Sequence, residues 1–473
     1  MKILRRIFGV LLLLLMAGVL LLWLKPPALL RVGANYSAKI VCSNVFLAAR
    51  NPDQVLSFDV QAPGIALLRF MQVSVDRERG VVRAGFLGFI GDGLAQWRPG
   101  KGCTVVPDGK LDLRATAPPS ESAPAQAPAQ TPAQVPAPIA AAAAGLSSAA
   151  SWPDGTAVHT DTALDRVLQN DALAGIGARA IVVVDHGRIV AERYTPGFGP
   201  GTPLLGWSMT KTVMAGVIGL LVKDGKLRLD QSGFWTGTDG RERIRLADLL
   251  AMSSGLQWNE AYGAVSDVTS MLYLQPDMAT FARTQPLAHP VGGNWSYSSG
   301  TAVILSRIAQ ESAGEDLAGF IITRLFAPLG ITSATIEPDE HGTLVGSSYM
   351  YATARDWARY GQFLLQDGVW QGHGLLPSGY VAMMATPVIA SAGQYGQGQT
   401  WLWGSDAATP GVDPDAAFGI PADIFWMSGH DGQTVAIIKS RQLVIVRLGL
   451  TPYSAGYSPQ PLVKAILEAT RTP

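Results

Sequence analysis

Apolar residues follow one another almost without interruption over residues 7–24, about 18 positions, enough for a helix to span bilayer hydrocarbon. Lys2, Arg5 and Arg6 precede the run, and Lys25, Pro26 and Pro27 end it. A secretory signal usually has a shorter core of roughly 7–15 residues and a small-residue cleavage pattern, and no clear pattern of that kind follows Leu24. Residues 1–29 are therefore expected to be an uncleaved transmembrane signal anchor, with a cleaved signal as the alternative. Basic residues ahead of the run keep the amino terminus in the cytoplasm, so either reading puts everything after Pro27 outside it. In a Gram-negative bacterium that compartment is the periplasm.

Further on, the pattern becomes that of folded protein. Residues 30–114 read as a small membrane-proximal α+β module, with a helix over 38–49 and a hairpin in which Val73-Ser74-Val75 and Val81-Val82-Arg83-Ala84 flank a turn over 76–80. Asp59, Asp76 and Asp92 are expected in solvated loops. Over residues 115–152 the apolar period disappears into Ala, Pro, Gln and Ser, as in Pro124-Ala125-Gln126-Ala127-Pro128, which predicts an extended, mobile linker. Residues 153–473 form the large remaining domain. In it Ile181-Val182-Val183-Val184 and Ile189-Val190-Ala191-Glu192-Arg193 flank Asp185-His186-Gly187-Arg188 as a hairpin. Met209 to Leu221 reads as a buried helix stopped at Asp224-Gly225. Thr434-Val435-Ala436-Ile437-Ile438 and Leu443-Val444-Ile445-Val446-Arg447-Leu448 form a second hairpin. Strands from both ends are expected to share one antiparallel sheet, with helices between them.

Composition changes this picture little. The 473 residues carry 36 Lys and Arg and 36 Asp and Glu, so no global field favours nucleic acid. The six histidines are scattered and there is no C-x-x-C, P-loop or G-x-G-x-x-G opening a helix after a strand, so neither a metal nor a cofactor is expected. Cys42 and Cys103 are the only cysteines. With an export signal ahead of them they are expected to form a disulfide, whose loop of roughly 60 residues is worth about 4 kcal/mol in the chain-entropy model.

Three segments carry candidate chemistry. Ser208-Met209-Thr210-Lys211 puts a hydroxyl and an amine on one helix face, three residues apart at a helix N-terminus, where the dipole favours a developing alkoxide. A lysine in an otherwise apolar helix is costly without partners. Tyr297-Ser298-Ser299 sits on a loop before an apolar helix. Beside an ammonium, its phenolate is expected to be accessible near neutral pH, so Tyr297 would take the Ser208 proton and return it to the leaving group. Ser428-Gly429-His430-Asp431-Gly432-Gln433 leads into the C-terminal hairpin. There a glycine at the mouth of an edge strand lets a substrate backbone lie close, and the Gln433 amide pairs with that of Ser208 as an oxyanion hole.

S-x-x-K, then Y-x-[NS], then [KHW]-x-G, in this order, resembles the serine β-lactamase and penicillin-binding superfamily. The similarity is greatest to its class C β-lactamase-like branch, with D-alanyl-D-alanine carboxypeptidases, family VIII esterases and 6-aminohexanoate-dimer hydrolase. Leu249-Leu250-Ala251-Met252-Ser253-Ser254-Gly255-Leu256 resembles the branch's L-L-x-x-x-S-G-L segment, and Tyr351-Ala352-Thr353-Ala354-Arg355-Asp356-Trp357-Ala358-Arg359-Tyr360-Gly361 resembles its S-T-A-x-D-x-A-R-x-G helix. The resemblance implies an α/β (α+β) β-lactamase/transpeptidase-like fold, an antiparallel sheet flanked by helices plus an all-helical lobe, with the active site between them. It implies Ser208 as acylated nucleophile, Lys211 as its proton-transfer partner and Tyr297 as general acid/base. His430 and Gly432 stand at the third motif, Gln433 gives the second oxyanion amide, and Tyr262 resembles a substrate-contacting tyrosine of the dimer hydrolases.

Ser299 stands where many β-lactamases carry Asn, and His430 replaces a Lys that often binds the β-lactam carboxylate. A neutral imidazole binds an anion less strongly than an ammonium does. The expected activity is therefore that of an exported serine hydrolase acting on small ester or linear amide substrates through an acyl-enzyme. A penicillin-binding receptor or a carboxypeptidase-like cell-wall enzyme is one alternative. A catalytically silent scaffold is the other, and a buried Lys211 argues against it.

Overall fold

The apolar run at the start of the chain is a single helix, α1 (Lys2–Leu24), exposed along almost its whole length. Among the described residues it is the one helix long and apolar enough to cross a membrane. The computed structural model describes residues 2–62, 65–111, 147–314, 316–404 and 411–470. Most of the expected linker lies outside these. Its end, Ser147–Ser151, is a short strand paired with Gly155–Ala157, where an extended, mobile tether was expected.

The chain divides into two compact units, the first made of Met1–Gln126 with Ala261–Pro276 and the second of Ala127–Glu260 with Asp277–Pro473. In the first unit, Pro27 caps α2 (Ala28–Phe46), which begins earlier than the sequence pattern suggested. Against it packs an antiparallel meander of β1 (Met71–Asp76), β2 (Val81–Phe86), β3 (Ile90–Arg98) and β4 (Gly102–Val105), paired in sequence order. Close approach needs small residues: a Cβ on Gly93 of β3 would fall 2.3 Å from the Ala34 carbonyl of α2. Cys42 on α2 is bonded to Cys103 on β4, with Cα atoms 6.0 Å apart.

Asp59 departs from expectation. It is buried rather than solvated, because the Arg50 guanidinium grips both of its oxygens and satisfies the buried charge. The segment Ala261–Pro276 also belongs here, although the sequence pattern assigned it to the large domain. Its helix Asp267–Leu274 lies on α2, where the buried Asn35 amide donates to the Tyr273 carbonyl at 2.8 Å and accepts from the Leu94 N–H at 3.0 Å. The Tyr36 and Tyr273 rings meet edge to face.

The second unit is built on five antiparallel strands. β5 (Ala178–Asp185) and β6 (Arg188–Tyr194) come from the start of the unit, and β7 (Ile424–Gly429), β8 (Gln433–Ile438) and β9 (Leu443–Gly449) from its end. Their order is β7-β8-β9-β5-β6, so both expected hairpins and their shared sheet are present. The turn between β5 and β6 uses positive φ at His186 and Gly187, which matches the twist of a two-residue hairpin. The strands read as continuous apolar runs because both faces are covered. Ile181, Val183 and Ile445 pack with Leu164 of helix Thr162–Leu168 and with Leu462 and Ile466 near the C-terminus. On the other face lies helix Ala354–Leu365, where a Cβ on Gly361 would sit 2.6 Å from Val444 and 2.9 Å from Val435. Between the two groups of strands most of the regular structure is helical, including α3 (Met209–Lys223) and α4 (Ser299–Ala313), with a small three-stranded sheet of Leu204–Leu205, Thr335–Ile336 and Met350–Ala352 among the helices.

Replacing Cys42 and Cys103 together with Ala should destabilise the first unit by about 4 kcal/mol. Amide hydrogen exchange in α2 and β4 should then accelerate markedly. Exchange at the wild-type rate would show that the bridge adds nothing to this unit.

Candidate active site

The turn that delivers the chain into α3 is tightly held. Trp207 has a φ of +48°, a conformation unusual for a bulky side chain and kept only where surroundings enforce it. The N–H groups of Met209 and Thr210 close back on the carbonyls of Gly206 and Trp207 at 3.2 and 3.0 Å. A Cβ on Gly206 would lie 2.2 Å from the Trp357 ring. This turn leaves Ser208 partly exposed at the head of a helix whose next thirteen residues, Met209 to Leu221, are buried.

One turn on, Lys211 is almost wholly buried. Its Nζ lies 3.0 Å from Ser208 Oγ, 3.0 Å from Ser299 Oγ and 3.0 Å from the Ser347 carbonyl oxygen. Burial pushes the ammonium down to about 8, opposed by the negative charge of Glu260. Glu260 reaches it through Ser299, accepting the Ser299 N–H at 2.9 Å and its hydroxyl proton at 2.6 Å. The same carboxylate accepts the Trp258 indole N–H, while a Cβ on Gly300 would strike the Trp258 ring at 2.5 Å. The chain thus links a hydroxyl, an amine and, through Ser299, a carboxylate across three segments far apart in sequence.

Tyr297 precedes α4, whose N-cap Ser298 accepts from the Thr301 N–H. Lys211 Nζ sits over the Tyr297 ring, 4.7 Å from its centroid, and the phenol interacts with the Ser208 hydroxyl and the Trp401 indole. Trp401, Tyr395 and Trp295 pack around it, with Trp401 at 5.2 Å and Tyr395 at 5.9 Å between ring centroids. Burial, then the Glu260 charge, push the phenol well above its ordinary value. That corrects the expectation of a phenolate near neutral pH. In this setting the low-lying titration belongs to the amine.

The third motif lies on the same side. Gly429 ends β7, where a Cβ would fall 2.2 Å from the Gly206 carbonyl oxygen, and the Trp207 and His430 rings meet edge to face at 5.7 Å. β7, not β8, is the edge strand, so His430 to Gly432 form a turn between an edge strand and its neighbour. Positive φ at Asp431 and Gly432 shapes it. The Gln433 side chain braces it, donating to the carbonyls of His430, Asp431 and Gly449 at 3.1, 3.1 and 2.6 Å and accepting from the Gly449 N–H at 2.9 Å. The buried Arg447 adds a bond to the Gly432 carbonyl at 2.9 Å. His430 is partly exposed, its Nε2 3.4 Å from Asp431 Oδ1.

Ser208, Lys211, Tyr297, His430 and Gly432 are therefore gathered in the second unit, with Gln433 beneath the turn. Tyr262 falls in the segment Ala261–Pro276, which belongs to the first unit. Glu260, Ser299 and the Ser347 carbonyl escaped the sequence reading as site groups. Ser299 carried a signal, as the last position of Tyr297-Ser298-Ser299. Glu260 and Ser347 carried none, because their roles arise only from the fold.

The model of the Beta-lactamase family matches residues 164–461, more than half of the chain. The 6-aminohexanoate-dimer hydrolase of Paenarthrobacter ureafaciens is 26% identical over 227 residues, 43% of this chain and 55% of that protein, so the chain spans little more than half the length of this relative. Among solved structures, a putative 6-aminohexanoate-dimer hydrolase from Bacillus anthracis superposes with a TM-score of 0.53 at 19% identity, over 66% of this chain and 85% of that one. A penicillin-binding protein homolog from Caulobacter crescentus does so with a TM-score of 0.50 at 18% identity, over 66% and 99%. With its five-stranded sheet, its helices and the extent of the family match, the chain belongs to the Beta-lactamase family.

Proposed function

We propose that the protein is an exported, membrane-anchored serine hydrolase that cleaves small esters or linear amides through an acyl-enzyme on Ser208. The observation that carries this reading is the 3.0 Å approach of Lys211 Nζ to Ser208 Oγ, with burial bringing the amine down to about 8. An amine of that kind is a base within reach of neutral pH.

The neighbours fix its direction. The Ser347 carbonyl can only accept a proton, and Ser299 has already committed its own proton to Glu260, so its Oγ also accepts. The two hydrogens of a neutral Lys211 amine point at these oxygens, and its lone pair is left for the Ser208 hydroxyl. As Ser208 Oγ bonds to the substrate carbonyl carbon, its proton passes to Nζ. Tyr297, kept protonated by its burial, gives its proton to the departing alkoxide or amine as the ester or amide bond breaks. The Lys211 proton then restores the phenol. Water then attacks the acyl carbon, giving its proton to Lys211, and as the bond to Ser208 Oγ breaks that oxygen takes the proton back from Nζ, releasing the acid and free Ser208. The amides of Ser208 and Gln433 are assigned to the carbonyl oxygen. Glu260 touches no substrate and acts as a positioning residue, holding Ser299 as an acceptor and tuning the amine.

His430 supports neutral substrates. Its partner Asp431, 3.4 Å away, offsets positive charge where a substrate carboxylate would otherwise be held. The name of the Paenarthrobacter relative points the same way, towards a linear amide. Export and anchoring are supported by the exposed helix α1, the basic residues before it and the disulfide. Disulfides persist in oxidising compartments.

In the full chain, Ser208→Ala should abolish labelling by a fluorophosphonate probe and p-nitrophenol release from a p-nitrophenyl ester, with intact mass spectrometry finding the acyl adduct on wild type alone. Undiminished labelling of the variant would refute the assignment. A lasting penicillin adduct on Ser208 without ester turnover would replace it with a penicillin-binding role.

The pH profile tests Lys211 separately. The base must be neutral, so kcat/KM should rise about tenfold per pH unit below about 8 and level off above it. Glu260 holds that value up by its charge, so Glu260→Gln should move the rising limb to lower pH. A limb that stays in place would remove Glu260 from the site's electrostatics.

A further inference from the structure

The first unit has one apolar end and one charged end, and the apolar end is where α1 departs. In a meander of four strands, the turns joining β1 to β2 and β3 to β4 share one end, and the turn joining β2 to β3 is at the other. The shared end carries exposed Asp76, Arg77, Glu78, Arg79 and Lys101. At the opposite end the turn between β2 and β3 exposes Leu87 (46%) and Phe89 (47%), and the segment entering β1 exposes Ile65 (39%) and Phe70 (54%). These pieces form one surface. The Leu87 N–H bonds to the Phe70 carbonyl at 2.9 Å, and the Phe70 ring lies 5.6 Å from that of Phe86.

Two close approaches place this surface along α2. A Cβ on Gly91, at the start of β3, would lie 2.9 Å from the Leu30 carbonyl oxygen, and a Cβ on Gly33 would lie 2.7 Å from Met71 and 3.2 Å from Leu68. Leu30 and Gly33 are in the first two turns of α2, whose first residue, Ala28, follows the end of α1 at Leu24 by four positions. β3 then continues away from that end, with Gly93 beside Ala34. The apolar turn is thus at the end of the unit where the membrane helix leaves it. Soluble surfaces rarely gather large apolar groups in this way without a partner. Arg69 and Lys25 are exposed nearby, with Asp92 an exposed acid beside the same turn, and the two basic side chains suit lipid phosphates.

We infer that the first unit docks on the bilayer, with Ile65, Phe70, Leu87 and Phe89 entering the headgroup and upper acyl region of the leaflet from which α1 emerges. Apolar side chains rimmed by basic ones are the pattern of interfacial binding. A second attachment beside α1 holds the unit against the membrane rather than letting it swing on residues 25–27. This rests on the reading of α1 as a membrane helix.

The test uses the full chain in vesicles of phosphatidylcholine and phosphatidylglycerol. Its two native cysteines are bonded to each other, so an introduced cysteine is the single thiol for a nitroxide label. Labels at Leu87→Cys and Phe89→Cys should collide several-fold more with oxygen, relative to a water-soluble nickel chelate, than a label at Arg79→Cys in the charged turn. A label at Leu13→Cys, inside α1, reports on the anchor itself. If Leu13→Cys is lipid-buried while Leu87→Cys and Phe89→Cys match Arg79→Cys, the docking inference fails and the anchor stands. If Leu13→Cys is also aqueous, both fail. Labels at Leu87→Cys and Phe89→Cys shielded from oxygen and nickel alike would mean a protein partner in place of lipid, which also overturns the inference.

Discussion

An ammonium removed from water must be satisfied by its neighbours or give up its proton, and the second unit is arranged around that requirement at Lys211. Three oxygens meet its Nζ at 3.0 Å, contributed by the head of α3, the head of α4 and the segment that carries Ser347. Each depends on a different part of the fold. The strained turn at Trp207 presents Ser208, the N-cap at Ser298 starts α4 with Ser299 facing inwards, and Glu260 keeps Ser299 from turning its proton towards the amine. Moving any of these would leave a buried donor or acceptor unmatched, which costs more than the bond itself is worth.

Much of this was readable from the chain. The hairpins around His186-Gly187 and before Leu443 announced themselves through turn residues between apolar runs, and the shared sheet was expected from strands at both ends of the domain with helices between them. Ser208, Lys211 and Tyr297 stood out because a lysine in an apolar helix is costly and because the three segments occur in a fixed order. Other features had no local signal. Asp59 looked like a loop acid, since nothing in the sequence tells that Arg50 folds over it. The Tyr297 phenol was expected to titrate low beside a cation. Burial acts on both groups, and it lowers the amine while it raises the phenol.

The third motif shows how a fold converts a loop into a fixed object. His430 to Gly432 is a turn of three residues, yet Gln433 ties three of its neighbouring carbonyls together and Arg447 holds a fourth. The close contact between Gly429 and Gly206 then sets this turn against the one that carries Ser208. Two turns, each rigid through its own hydrogen bonds, meet backbone to backbone with no side chain between them. Turns set against each other in this way hold their geometry without a ligand to brace them.

The excursion over Ala261–Pro276 has a consequence for how the chain can be taken apart. The polypeptide enters the first unit, leaves it, returns to lay Met271, Leu272 and Tyr273 against its neighbours there, and leaves again. Order along the chain and membership of a folded body are different things here. A protease that cuts the Ala/Pro-rich stretch nicks the protein without separating it, because the carboxyl-terminal fragment still supplies one helix of the amino-terminal body. A recombinant product started at residue 152 would carry that helix with its apolar face bare.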